Sequence, residues 1–168
     1  MRLFLPTLAA DKVTDITPEL IRSIGGSALL LDVDNTLAPH GSQVPFPGAA
    51  EWTRRMRDAG IKIIIMSNNF KKRVEPFAKK LGLPFISCSM KPLPGMYLNA
   101  VSSLGAERGD AVVVGDQVFT DILGANIARL KSILLTPRGE ESSLSFSVRR
   151  ALEKPVRKKI AEDKRFKG

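Results

Sequence analysis

Ala28-Leu29-Leu30-Leu31-Asp32-Val33-Asp34-Asn35-Thr36 is the stretch from which the fold can be read. Four apolar residues follow the Gly25-Gly26 break, and then the chain turns polar at an aspartate. A run this short suits a strand buried on both faces, as in a parallel sheet. The same unit recurs. Apolar runs at 61–66, 84–86, 111–114 and 132–135 are expected strands; Ser67-Asn68-Asn69 follows the first of them and Gly115-Asp116 the third. Helical segments at 49–59, 70–81, 95–104 and 119–130 separate them, the first three closed by Gly60, Gly82 and Gly105. Upstream, Thr17-Pro18-Glu19 reads as an N-cap with proline at the first helical position. This alternation predicts an α/β fold, a Rossmann-like doubly wound parallel sheet. Ligands of such sheets bind at the carboxyl ends of the strands, where Asp32, Ser67 and Asp116 stand.

The 168 residues suit one domain, and an apolar fraction of 43% can build one core. The formal charge of +9 favours anionic partners: phosphate esters, nucleic acid or an anionic membrane face. Cys88 is the one cysteine, so no intrachain disulfide forms and a reducing, cytoplasmic setting is expected. The start, Met1-Arg2-Leu3-Phe4-Leu5-Pro6, is broken too early by proline for a secretory signal, and no run reaches the length of a membrane helix. The segment 149–168 carries nine Lys/Arg against three Asp/Glu. It reads as a basic tail after a domain at 1–148, with Pro155 interrupting any helix there.

Each strand end admits two readings. Asp32 and Asp34, two residues apart in extended chain, point to the same side. They cap the turn, or they serve as Mg²⁺ ligands, nucleophile and proton donor. Ser67 and Asn68 cap the next helix, or their hydroxyl and N–H groups hold phosphate oxygens. Lys91 is a surface lysine, or a point charge that pairs with a nucleophilic carboxylate and phosphate. Asp116 completes a metal site and Asp121 supports it, or both cap a helix. The bland readings require four coincidences in chain order, each at a strand end, which favours the joint functional reading.

Together Asp32-x-Asp34-x-Thr36, Ser67-Asn68, Lys91 and Gly115-Asp116 with Asp121 resemble the four motifs of the haloacid dehalogenase-like superfamily. With Phe4-Leu5-Pro6, Asp15-Ile16-Thr17-Pro18 and Gly115-Asp116-Gln117 the chain is similar to the YqeG subfamily of type IIIA phosphatases, relatives of phosphatidylglycerophosphate phosphatases. The resemblance implies Asp32 as nucleophile, Asp34 as general acid/base, and Ser67, Asn68 and Lys91 as the phosphate site. It implies Mg²⁺ held by Asp32, the Asp34 backbone carbonyl and Asp116, with Asp121 orienting them.

Neither the interval from Asp34 to Ser67 nor that from Ser67 to Lys91 has room for a separate cap domain. An open site suits a lipid head group or a macromolecule; a neighbouring subunit as lid would suit a small phosphomonoester. The oligomeric state is left open. Lys71, Lys72 and Arg73 stand in the first turn of a helix, where cations oppose the dipole, and either read a second phosphate or form a solvated face. His40 lies in the flap, touching substrate or solvent. The basic segment suits peripheral contact with an anionic membrane, with Leu3-Phe4-Leu5 as an apolar assist. RNA is a further but less favoured partner for it, the alternative being a non-catalytic ribosome-associated protein on this fold, and a solubilising tail with no partner is the bland reading. Trp52, Phe46, Phe77 and Phe85 are expected in core and flap packing, with no stacking platform for bases.

Overall fold

The computed structural model of the chain describes residues 2–138 and 144–166. Lys167 and Gly168, the last residues of the expected basic tail, lie outside the described residues. The apolar run Ala28–Leu31 forms strand β2, after a short edge strand β1 (Leu8–Ala10). It is followed by β3 (Lys62–Met66), β4 (Phe85–Ile86), β5 (Ala111–Gly115) and β6 (Lys131–Leu135). All five pairings are parallel, in the order β1-β6-β5-β2-β3-β4. The chain winds outward from β2 through β3 to β4, then returns to place β5 against the other side of β2. The strand order therefore reverses beside β2, the position where open α/β sheets bind ligands.

Alternate residues of each strand face opposite layers. Leu29, Leu31, Ile63, Ile65, Val112 and Val114 pack with Ile21 of α1 (Pro18–Ser23), Trp52 and Met56 of α2 (Ala49–Asp58) and Phe77 of α3 (Lys71–Leu81). Leu30, Ile64, Met66 and Val113 pack with Tyr97 and Ala100 of α4 (Pro94–Ser103) and Ala125 of α5 (Leu123–Ile127). Burying each large side chain contributes about 1.5–3 kcal/mol. Trp52 also donates its indole N–H to the Ile16 carbonyl at 2.7 Å, so its one polar atom is satisfied in the core. Phe46 and Phe85 pack half-buried on the same layer. No separate cap interrupts the described chain: Asp34 to Ser67 holds a flap, α2 and β3, and Ser67 to Lys91 holds α3 and β4.

Three elements differ from expectation. β1 is paired with β6, Leu8 opposite Ile133. The helix expected at 119–130 is a π-turn, Val118–Ile122, leading into the short α5. The largest difference is helix α6 (Leu144–Glu162), which continues through Pro155. The basic tail set apart at 149–168 is thus mostly a packed helix. Ile160 and Phe166 join Val118, Ile122 and Leu134 in a third apolar cluster, with Val156 against it. Glu153 is fully buried beneath the helix. Tertiary packing of one face offsets the hydrogen bond that proline removes.

Candidate active site

The register brings three strands to an end at one level: Leu31 lies opposite both Ile65 and Val114. Asp32, Ser67 and Asp116 consequently emerge together. The Asp32 N–H still donates to the Val114 carbonyl at 3.0 Å, after which the chain turns sharply. Val33 O accepts from Thr36, Leu37 and Ala38, and Asn35 adopts the left-handed region at φ 57° that asparagine tolerates.

A buried charge cluster sits at this junction. Lys91 Nζ donates to Asp32 Oδ1 at 2.6 Å and to Asp121 Oδ1 at 2.7 Å. Asp121 Oδ2 accepts from the Gln117 N–H at 3.1 Å, so both its oxygens are held. Gly115 makes this possible, because a Cβ there would collide with the Asp121 carboxylate. Burial pushes the Asp32 carboxyl up from its ordinary value; Lys91 draws it back, while Asp121 and Asp116 add to the rise. Burial alone would push the Lys91 ammonium down, but Asp121 and Asp32 outweigh it and hold Lys91 protonated. Asp32, Asp116 and Asp121 each offer a carboxylate oxygen, all within 4.8 Å of one another. Three buried hard oxygen donors fit a divalent cation of the magnesium type. The side chain of Asp34 lies outside this triad.

Asp34 faces the flap. It accepts from the Gly41 N–H at 2.9 Å, from Asn69 Nδ2 at 2.6 Å and from Arg73 Nη2 at 3.2 Å, with His40 Nδ1 3.8 Å away. Arg73 also donates to the Ser42 carbonyl at 2.9 Å and so ties the flap to α3. Of the three cations at the start of α3, Arg73 is turned to this carboxylate, while Lys71 and Lys72 are exposed. Ser67 Oγ accepts from the Asn69 N–H at 3.2 Å. The Asn68 side chain serves the lysine: its oxygen accepts from the Lys91 N–H at 2.7 Å and Ser89 Oγ at 3.0 Å.

Asp116 is gripped from the C-terminal helix. Arg150 pairs with its carboxylate and donates to its carbonyl, which Arg157 reaches as well. Buried Glu153 pairs with both arginines at 3.0 Å and accepts from the Val118 N–H at 2.8 Å. Sequence reasoning missed Asn69, Arg149, Arg150, Glu153 and Arg157. A signal was present: Glu153 stands three residues after Arg150 and four before Arg157, on one helical face.

These groups line a cavity of about 240 Å³, bounded by Asp32, Asp34, His40, Ser67, Asn68, Asn69, Lys91, Gln117, Thr120 and Arg149. A larger groove of about 730 Å³ runs between β1, β6 and α6. Its lining is mostly apolar, from Ala9, Leu20, Leu134 and Ile160, and gathers no such constellation. The smaller cavity is the one that gathers Asp32, Asp34, Ser67 and Lys91.

Residues 18–129 match the haloacid dehalogenase-like hydrolase family. The chain is 33% identical over 155 residues to the probable phosphatase YqeG of Bacillus subtilis, covering 92% of this chain and 90% of that one. It is 26% identical over 117 residues to a ribulose-1,5-bisphosphate 5-phosphatase of Halopiger xanaduensis, 64% of this chain and about half, 49%, of the relative. Its fold is similar to that of NagD from E. coli K-12, with a TM-score of 0.57 at 15% identity over 72% of this chain and 91% of that one. By this agreement of sequence and fold the chain belongs to the haloacid dehalogenase-like hydrolase family and, within it, to the phosphatases of the YqeG type.

Proposed function

We propose that the chain hydrolyses a phosphomonoester with Mg²⁺ through an aspartyl-phosphate on Asp32. The supporting observation is the buried Lys91 ammonium shared by Asp32 and Asp121, beside Asp116. In this reading an Asp32 oxygen attacks phosphorus as the ester P–O bond breaks. Asp34 gives its proton to the leaving oxygen, then takes one from the water that attacks the aspartyl-phosphate. Ser67 and the adjacent N–H groups hold phosphoryl oxygens, and Lys91 neutralises their charge. Asn69 and Arg73 orient the Asp34 carboxylate toward the cavity from the flap side. Mg²⁺, held by Asp32, Asp116 and the Asp34 carbonyl with Asp121 orienting them, would supply further neutralisation of the phosphoryl charge.

Phosphatidylglycerophosphate is the substrate this proposal favours, met at the inner face of an anionic membrane. The exposed apolar residues support it. Phe70 follows Asn69, Met90 precedes Lys91, and Val148 precedes Arg149, so exposed apolar residues adjoin cavity-lining ones along the chain. Among the described residues no helix is long and apolar enough to cross a membrane, so contact on this reading is peripheral. A small soluble ester is the second reading, favoured by the small volume of the cavity.

The test is phosphate release with Mg²⁺ from phosphatidylglycerophosphate in mixed micelles, beside p-nitrophenyl phosphate, with Asp32→Asn as control. Selective turnover of the lipid is expected. Turnover of the small ester alone would remove the lipid substrate, and undiminished turnover by a folded Asp32→Asn protein would remove the nucleophile.

A further inference from the structure

The scissile phosphoryl group has its cation in Lys91. The cavity holds a second cation that this chemistry does not use. Arg149, on the first turns of α6, lines the same cavity as Asp32, Ser67 and Lys91. Its Nη1 donates to Gln117 Oε1 at 2.6 Å, and Gln117 directly follows Asp116. The guanidinium is therefore held at the mouth, on the side where the C-terminal helix meets the catalytic strands.

The backbone that carries it is anchored. One residue on, Arg150 pairs with Asp116 and with buried Glu153, which accepts the Val118 N–H at 2.8 Å. Arg149 thus rides on the segment bolted to the loop that bears Asp116, and its position is fixed relative to the nucleophile. Arg73 is turned to Asp34 and Ser42 O, which removes it from the first-turn cations expected to read a second phosphate. The cavity is small for a whole ligand, so it takes the phosphoryl end and the group nearest to it. A guanidinium presents paired N–H donors that match the oxygens of a phosphate or phosphodiester.

We infer that Arg149 is a specificity residue that binds a second phosphate or phosphodiester group of the substrate, next to the scissile phosphomonoester. This rests on the phosphomonoesterase reading above. It assigns to the basic C-terminal segment a role inside the site, beyond any contact with a surface. Two sources share the chemistry: a glycerophospholipid head group, where the second group is a diester, and a soluble bisphosphate.

The experiment compares kcat/KM for propyl phosphate and 1,3-propanediol bisphosphate, which differ by the second phosphate alone, in the full chain with Mg²⁺. Dioctanoyl phosphatidylglycerophosphate forms the lipid arm. The wild-type chain is expected to prefer at least one of the esters with two phosphate groups over propyl phosphate by at least about tenfold, the effect of one charge-assisted pair. R149Q is expected to remove most of that preference, and R149K to keep part of it because lysine supplies the charge without the fork. The arm in which R149Q loses most identifies the source. R149E serves as a second variant, and a thermal melt shows which variants are folded. A wild-type preference near one overturns the inference while phosphatase activity stands, as does an undiminished preference in a folded R149Q or R149E. No turnover of any ester by the wild-type chain would overturn the phosphatase reading, and the inference with it.

Discussion

Asn68 is exposed, yet its amide holds the Lys91 segment in place. That segment carries two non-glycine residues in the left-handed region, Cys88 at φ 49° and Met90 at φ 50°. Such conformations cost about 1–3 kcal/mol each and persist where surrounding contacts fix them. Here the contacts are the Asn68 bonds to the Lys91 N–H and to Ser89 Oγ. Asn68→Ala is expected to lower stability by about 1–3 kcal/mol in urea denaturation and to lower kcat by about tenfold or more through a displaced Lys91. Unchanged kcat would separate Asn68 from the lysine. Gly115→Ala is a sharper case, since the added methyl meets the Asp121 carboxylate. The expected outcome is weaker Mg²⁺ binding by calorimetry, about tenfold or more, from loss of the residue that orients the ligands. Asp32, Ser67 and Asp116 were legible because each directly follows a strand that reads as a short apolar run, and Asp34 and Lys91 because they stand three and five residues beyond such a strand's end. The partners of Asp34 were not, because Asn69 and Arg73 reach it only once α3 and the flap are folded together.

At the scale of elements, what was legible followed burial. Strands β2, β3 and β5 are buried along most of their length and read as apolar runs. β1 escaped because Leu8-Ala9-Ala10 is short and half-buried at the sheet edge. α6 escaped because Pro155 and a net charge of +6 over 149–168 both argue locally against a packed helix. The helix is secured by tertiary contacts, through Glu153 and Ile160 on its inner face and Phe166 just beyond its end. Glu153→Gln leaves Arg150 and Arg157 without their shared carboxylate. It is expected to destabilise the protein by about 2 kcal/mol or more in urea denaturation, the partial exposure of both arginines trimming the cost of breaking a buried pair. A loss under about 0.5 kcal/mol would show that the network contributes little to docking α6. For the same reason removal of 149–168 does not isolate surface charge from the site, because it takes Arg149, Arg150 and Glu153 with it.

At the scale of the whole molecule, the basic residues of the C-terminal segment fall into two groups. Arg149, Arg150 and Arg157 face inward to the strand ends, while Lys154, Lys158 and Lys164 are exposed on the far side of the same C-terminal segment. The exposed apolar residues Phe70, Met90, Leu93, Val148 and Leu152 adjoin the site segments in sequence. Exposed lysines together with exposed apolar residues suit an anionic interface, where each Lys adds about 1 kcal/mol. Combined replacement of Lys154, Lys158 and Lys164 by Glu is expected to reduce sedimentation with anionic vesicles by about tenfold or more, and to spare turnover of p-nitrophenyl phosphate. Unchanged sedimentation would contradict membrane contact through this face. Net charge alone had left membrane and RNA open, since composition reports the sign of a partner and not its surface.

The proposed mechanism passes phosphate through Asp32. Borohydride trapping during steady-state turnover with Mg²⁺, followed by peptide mass spectrometry, addresses this directly, because borohydride reduces an aspartyl-phosphate to homoserine. Homoserine is expected at position 32, dependent on both substrate and Mg²⁺ and absent at position 34. Steady turnover with no reduced residue at position 32, or with reduction at another carboxylate, would contradict the mechanism.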